Sequence, residues 1–553
     1  MKNIIIARWL EKINQAAKYY LVFYKSIPFI SVLILVHSWI EYGVIAAIIT
    51  HLTDDWLHLP KAASIVNVHD GVTAVFVPVV AYASDAYLGP FTAVVCTNVA
   101  FIFGLGLLFF SAWRLKTIEL QLLYIALLLI ALGRAGRDIS LKEFLADQFR
   151  KEGHSGHSEL DEERIQSRRK VWWRSSYILG IGVSVFVLTK ASWVKLSNIA
   201  TIALAVAFTI FIGGIPFFEY KKPTKSGSLN KVVRVLYAAI LKRHLSHNNL
   251  SSENDHPPIL HVPMLSWLDK ASIVEPSLSL EEQEKKARLC TVEEVQEVKL
   301  LLKMIPLWTT FLVYGLLQAT GNTFFFEQVG YMDNSLGKLV HHIPIITFVI
   351  IKSATSFIVT RFCDLFLFLT NNEIPRHVML IRIGIGMAIS PLCCVIAWRI
   401  EDYRKHQSSK MDISISVFWL VPQFFLLGFM EGLVFAGLEE FFYAQVPKSM
   451  KLYGPSFTQF ALSIGNFLGL PLILIFRGLF TDDLDTSKLG EYYAILGCVC
   501  FVNLVFYCYV APSYVKGERP PDPEVEELIE QMKAGEELAR EERSQIELSG
   551  GNM

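Results

Sequence analysis

Apolar positions in this chain are gathered into long runs rather than spread at the spacing of an amphipathic helix. Residues 86–113, 196–218, 304–326, 413–430, 452–476 and 492–515 contain no Asp, Glu, Lys or Arg. A helix needs about 20 mostly apolar residues to cross a hydrocarbon core, so these six runs predict membrane helices outright. Weaker runs fill the gaps: 27–51 with His37 and Glu41, 64–84 with Asp70, 117–138, 171–189, 343–363 with Lys352 and 377–400 with Arg382. The total expected is twelve spans. They are read as helices because in lipid each backbone polar group must be satisfied internally. The short alternating strands of a membrane barrel are not what these runs look like.

Composition agrees. Of 553 residues, 53% are hydrophobic and only 18% charged, and mean hydropathy is +0.41. That excludes a disordered chain, a collagen and a secreted disulfide scaffold. The formal net charge is zero, which gives no support to a nucleic-acid partner. The partners implied are the lipid bilayer and a small solute.

Loop charge then sets the orientation by the positive-inside rule. Met1 to Tyr24 carries Lys2, Arg8, Lys12 and Lys18 with no small-residue cleavage site, and reads as a cytosolic lead-in. Arg164, Arg168, Arg169, Lys170 and Arg174 lie between spans four and five, and Lys221, Lys222, Lys225, Lys231, Arg234, Lys242 and Arg243 lie in the longest connection. Twelve spans put all of these, and both termini, on the cytosolic side. Arg404, Lys405 and Lys410 fall on the other side, so the rule is followed imperfectly.

The expected organisation is a cytosolic N-terminus (1–26), a six-helix bundle (27–218), a cytosolic central loop (219–298), a second six-helix bundle (299–515) and a cytosolic tail (516–553). The loop holds a polar patch, Ser246 to Pro258, expected to be disordered. Thr291-Val292-Glu293-Glu294 fits a capped helix start, expected to lead a solvated amphipathic helix into span seven. The tail has eleven acidic and five basic residues, which leaves the rest of the chain with a surplus of six positive charges. A kinase or other regulatory partner would act at the loop or the tail.

Catalytic and cofactor chemistry is not legible. There is no G-x-x-x-x-G-K-[ST] phosphate loop, so ATP-driven transport has no engine here. No zinc spacing appears, and His154 with His157 supplies only two ligands. Seven of the eight cysteines fall in or beside expected spans and read as packing residues. The sequon Asn249-Leu250-Ser251 lies on the cytosolic side, out of reach of glycosylation. The chain is read as a non-enzyme that needs no metal or cofactor.

Twelve spans split by a long middle loop suggest a secondary transporter of the major facilitator type, an all-α membrane protein. Ser84-Asp85-Ala86-Tyr87-Leu88-Gly89, Phe144-Leu145-Ala146-Asp147-Gln148-Phe149, Leu268-Asp269-Lys270-Ala271, Cys290-Thr291-Val292-Glu293-Glu294-Val295 and Glu440-Phe441-Phe442-Tyr443 occur in that order. In these segments the chain resembles the plant nitrate/peptide branch of the proton-coupled oligopeptide transporter family. The resemblance implies alternating access around a central polar cavity. Substrates across that family include nitrate, peptides, plant hormones and glucosinolates.

One departure matters. Proton-coupled members carry E-x-x-E-R on span one, where this chain has Ile34-Leu35-Val36-His37-Ser38; the family lysine on span four falls at Asp138. Coupling by that route is therefore expected to be weak or absent. The remaining intramembrane charges are functional candidates by default. Lys352 and Glu431 are expected to pair, with Gln318, Asn322 and Tyr314 on the neighbouring wall as substrate-binding candidates. Glu41, His37, Asp138 and Arg137 are the candidates for a substitute coupling site, His37 because an imidazole titrates near neutral pH. The favoured reading is a carrier of nitrate or a related small anion. The alternatives are a proton-coupled symporter of peptides or hormone-like acids, and a non-transporting membrane sensor. A monomer or weak dimer in the tonoplast or plasma membrane is expected.

Overall fold

The computed structural model describes residues 24–55, 59–114, 120–149, 159–188, 192–220, 228–243, 263–273, 282, 288–335, 346–369, 376–411, 414–445, 454–481 and 484–515. The expectations for the N-terminal lead-in up to residue 23, for Ser246 to Pro258, for His154 and His157, and for the acidic tail lie outside them.

Among the described residues the chain is helical, with one isolated bridge between Asp333 and Ser416. The first half contributes α1 (Ile27–Ile40), α2 (Leu59–Ala83), α3 (Gly89–Arg114), α4 (Leu120–Gly136), α5 (Glu159–Leu188) and α6 (Trp193–Gly213). The second contributes α7 (Ile305–Gly321), α8 (Ile346–Leu369), α9 (Arg376–Met411), α10 (Val421–Gln445), α11 (Gly454–Ile475) and α12 (Leu489–Val510). Eight stretches of described helix are long and apolar enough to cross a membrane, and one of them, Leu59–Trp113, holds both α2 and α3. α4, at 17 residues, and α5, which opens on the charged run Glu159 to Lys170, are not among them, nor is α8.

Much of the surface these helices expose is apolar. Phe103, Ile202, Phe362, Phe501 and Tyr509 are all more than half exposed, as helices facing lipid require. Packing within each half is close because glycine removes side chains at crossings. Gly133 sits on the Phe101 ring between α4 and α3, and Gly315 meets Gly465 between α7 and α11. α2 and α11 join the two halves: a Cβ on Gly71 would lie 2.7 Å from the Phe467 ring, and one on Gly469 would lie 2.7 Å from Asn67 Nδ2. Small residues allow such approaches where lipid supplies no hydrophobic drive between helices.

The central loop is more ordered than its charge suggests. A capping box forms at Thr291, with Thr291 Oγ1 accepting from the Glu294 amide and the Glu294 carboxylate accepting from the Thr291 amide. The helix it starts, Val292–Leu302, is not the solvated helix expected from sequence. It packs on the loop helix Ser228–Leu241 and on the 3-10 segment Pro263–Ser272. Arg234 pairs with Glu294, Lys231 with Glu297 at 3.3 Å, and buried Lys299 with Asp269 at 2.5 Å. Burial of Val295, Val298 and Leu301 on this face explains the correction: the charges are contacts to the loop, and the apolar face needs cover.

Candidate functional site

α1 ends in a π-helical turn, Glu41–Ile45, and α4 in another, Arg137–Leu141. Each turn opens on a charged residue. π-turns re-aim side chains and recur at functional positions, and here they bring Glu41 and Arg137 together. Arg137 Nη1 donates to Glu41 Oε2 at 3.0 Å, while its guanidinium holds Asp138 at 2.9 Å. Arg134, one turn earlier on α4, takes the other carboxylate oxygen at 2.5 Å and reaches Asp70 on α2 at 2.7 Å. The row Asp70–Arg134–Glu41–Arg137–Asp138 thus ties α1, α2 and α4 by alternating charge. Buried ions require this, because an unpaired one in a low-dielectric site is strongly unfavourable.

Across from this row, Lys352 on α8 lies 3.2 Å from Glu431 on α10 and donates to Asn322 Oδ1 at 3.1 Å. Gln318 Nε2 donates to the same Glu431 oxygen at 3.1 Å. A cavity of about 150 Å³ separates the two groups; Glu41, Asp70 and Arg134 line one side, and Asn322, Lys352 and Glu431 the other. Tyr42 bridges them, accepting from Tyr177 at 3.3 Å in the first half and from Ser353 at 3.5 Å in the second.

The sequence-derived candidates therefore separate. Lys352, Glu431, Asn322 and Glu41 line the cavity; Gln318 acts behind Glu431. Tyr314 is buried, with a hydroxyl that has no hydrogen-bond partner among the described residues, and it is not on the cavity wall. Arg137 and Asp138 belong to the row behind Arg134. His37 is elsewhere, fully buried with its Nε2 2.7 Å from Asn98 Oδ1. Sequence reading counted Asp70 as a charge in a span and passed over Arg134. The signal was available: Arg134 and Arg137, three residues apart in an apolar run, share one helix face.

The altered motif on α1 has a structural counterpart. Ile34, His37 and Ser38 are completely buried. Ser38 Oγ donates to the Tyr177 carbonyl at 2.7 Å, and Gly180 of α5 presses on the Leu35 carbonyl. That face of α1 is a packing face.

The family described as the POT family matches residues 91–478. The chain belongs to the POT family. Among its relatives, the protein NRT1/PTR family 5.7 of Arabidopsis thaliana is 31% identical, over 86% of this chain and 85% of the relative. NRT1/PTR family 5.6 of the same plant is 30% identical, over 82% and 84%. Among solved structures, an auto-inhibited POT family peptide transporter superposes with a TM-score of 0.65 at 15% identity, covering 88% of this chain and 96% of that one. PepTSo superposes with a TM-score of 0.62 at 17% identity, covering 88% and 99%. This POT family member, of the NRT1/PTR branch, is a multi-pass membrane transporter with the major facilitator fold.

Proposed function

We propose that this transporter moves nitrate or a related small anion by alternating access between bundles 27–218 and 299–515, without coupling through the E-x-x-E-R route. One observation carries this reading: Lys352 faces the cavity beside two neutral amides, and Gln318 donates to the same Glu431 oxygen that Lys352 holds. Gln318 keeps Glu431 satisfied while Lys352 turns to an incoming anion, and Asn322 adds a donor from its amide. Arg134 on the opposite wall supplies a second cation. Support for the lack of coupling comes from the packed face at Ile34, His37 and Ser38, which carries neither the motif's carboxylates nor its arginine.

A second reading has support from the same cavity. Three carboxylates, Glu41, Asp70 and Glu431, face two cations, Arg134 and Lys352. Such a lining suits a zwitterion such as a peptide, with a proton carried by Glu41 or Glu431.

Flux separates them. In a heterologous cell, nitrate flux with current recorded at about pH 5.5 and about pH 7.5 is expected to saturate, to be equal at the two values and to vanish in Lys352→Ala. An inward current that rises steeply at the lower pH overturns the uncoupled reading and favours the second. Absence of flux for nitrate, peptides and organic acids removes both and leaves a membrane sensor.

A further inference from the structure

The loop helix Ser228–Leu241 is apolar on two opposite faces. Val235, Ala238 and Ala239 are buried against the helix Val292–Leu302 and the segment Pro263–Ser272. On the other side Val233, Tyr237 and Ile240, at the i, i+4, i+7 spacing of one helix stripe, are 59%, 52% and 56% exposed. Nothing in the described fold covers them, and Trp267 on the adjoining segment is exposed as well.

Within the segment itself the charge has one sign. Residues 221–243 contain seven Lys or Arg and no Asp or Glu. Lys231 and Arg234 are committed to Glu297 and Glu294, and Lys242 is buried with its ammonium on the Ile273 carbonyl. Arg243 is exposed at the end of the helix, and Lys270 donates to its carbonyl at 2.7 Å. The segment also follows closely on α6, and Ile215, Phe217 and Tyr220 just past the end of that helix are exposed. An apolar stripe bearing a Tyr, with Arg243 and Lys270 at its end and just past a spanning helix, has the chemistry of an interfacial helix on an anionic leaflet.

We infer that the loop helix Ser228–Leu241 lies on the bilayer surface, with Val233, Tyr237 and Ile240 set into the headgroup boundary and Arg243 and Lys270 holding anionic lipid. The side is the one that the basic loops assign to the cytosol. The contact bears on transport, because Val292–Leu302 runs almost directly into α7, which carries Gln318.

The test uses the full-length protein in nanodiscs, with benzoylphenylalanine in place of Tyr237 and, as a control, in place of Val206, which is exposed on α6. Discs contain phosphatidylcholine alone or with phosphatidylserine. After illumination, the Tyr237 site is expected to yield lipid adducts, about fivefold more in the anionic discs. Arg243→Gln with Lys270→Gln should reduce that difference at least twofold, while the Val206 site gives equal yields throughout. Lipid adducts at Val206 but none at 237 overturn the membrane contact. Adducts at 237 in equal yield in both discs overturn the recognition of charge.

Discussion

Gly428 on α10 packs directly on the carbonyl of Lys352 on α8. With no side chain at 428, the two helices approach closely enough for Lys352 Nζ to lie 3.2 Å from Glu431 Oε2. Gly432, one turn on, repeats the contact against the Ser356 carbonyl, 2.5 Å from where a Cβ would stand. The two glycines make the small-xxx-small pattern that membrane helices use for close crossings.

Gly428→Ala should therefore part α8 from α10 and lengthen the Lys352–Glu431 contact. Overpacking of this kind destabilises by about 1–3 kcal/mol. Thermal unfolding in detergent reads the stability, and solute flux reads the site. Wild-type flux in a stably folded Gly428→Ala would show that this spacing does not matter for transport.

Lys352→Ala leaves Glu431 with Gln318 alone, and Glu431→Gln leaves Lys352 with Asn322 alone. Each single change should lower the unfolding temperature more than Lys352→Ala and Glu431→Gln together, because removing one partner strands the other charge. The pair is partly open to the cavity, so the coupling should be about 1 kcal/mol rather than the several of a dry pair. Additive losses in the double-mutant cycle would mean that the two side chains do not interact in the membrane.

Restoring the family motif with Ile34→Glu, His37→Glu and Ser38→Arg should not restore proton coupling. All three positions are fully buried, and Gly180 holds α5 against α1 there. The expected result is loss of folded protein, scored by size-exclusion yield. A folded triple variant with proton-driven current would refute the reading of this face as a packing surface.

Glu41→Gln removes the only carboxylate shared by Arg134 and Arg137 among the described contacts. It should destabilise by only about 1 kcal/mol, because Arg134 keeps Asp70 and Arg137 keeps Asp138. Arg134→Gln should cost more, about 3 kcal/mol, since Arg137 still holds Glu41 but Asp70 loses its guanidinium partner. Comparing the two unfolding temperatures checks the order.

Burial pushes the Cys290 thiol up from its ordinary value, outweighing the nearby Arg234 guanidinium. Less thiolate is then present near pH 8 than on a free cysteine, and alkylation should be slow and rise with pH. Glu294→Ala breaks the pair with Arg234 and the cap at Thr291, which should release the helix and speed labelling several-fold. Mass spectrometry of the peptide containing Cys290 follows the rate.

Sequence alone determined that this is a helical membrane protein, since runs of uncharged residues long enough to span lipid admit few other structures. It also determined the family, carried by segments such as Phe144 to Phe149, and it singled out Lys352, Glu431 and Glu41 because a charge in an apolar run is costly enough to need a reason. Partners were a different matter. Arg134 meets Glu41 and Asp70 only because α4, α2 and α1 converge and two π-turns rotate the ends of α1 and α4. The helix after Thr291 looks solvated by charge alone, and only its docking shows that Glu294, Glu297 and Lys299 are contacts. His37 stands where the motif predicts a coupling group, yet packing turns it to Asn98 and away from the cavity. Composition and periodicity report what a segment can be buried in; which side chain it meets is decided by helix rotation and crossing, and these depend on residues far apart in the chain.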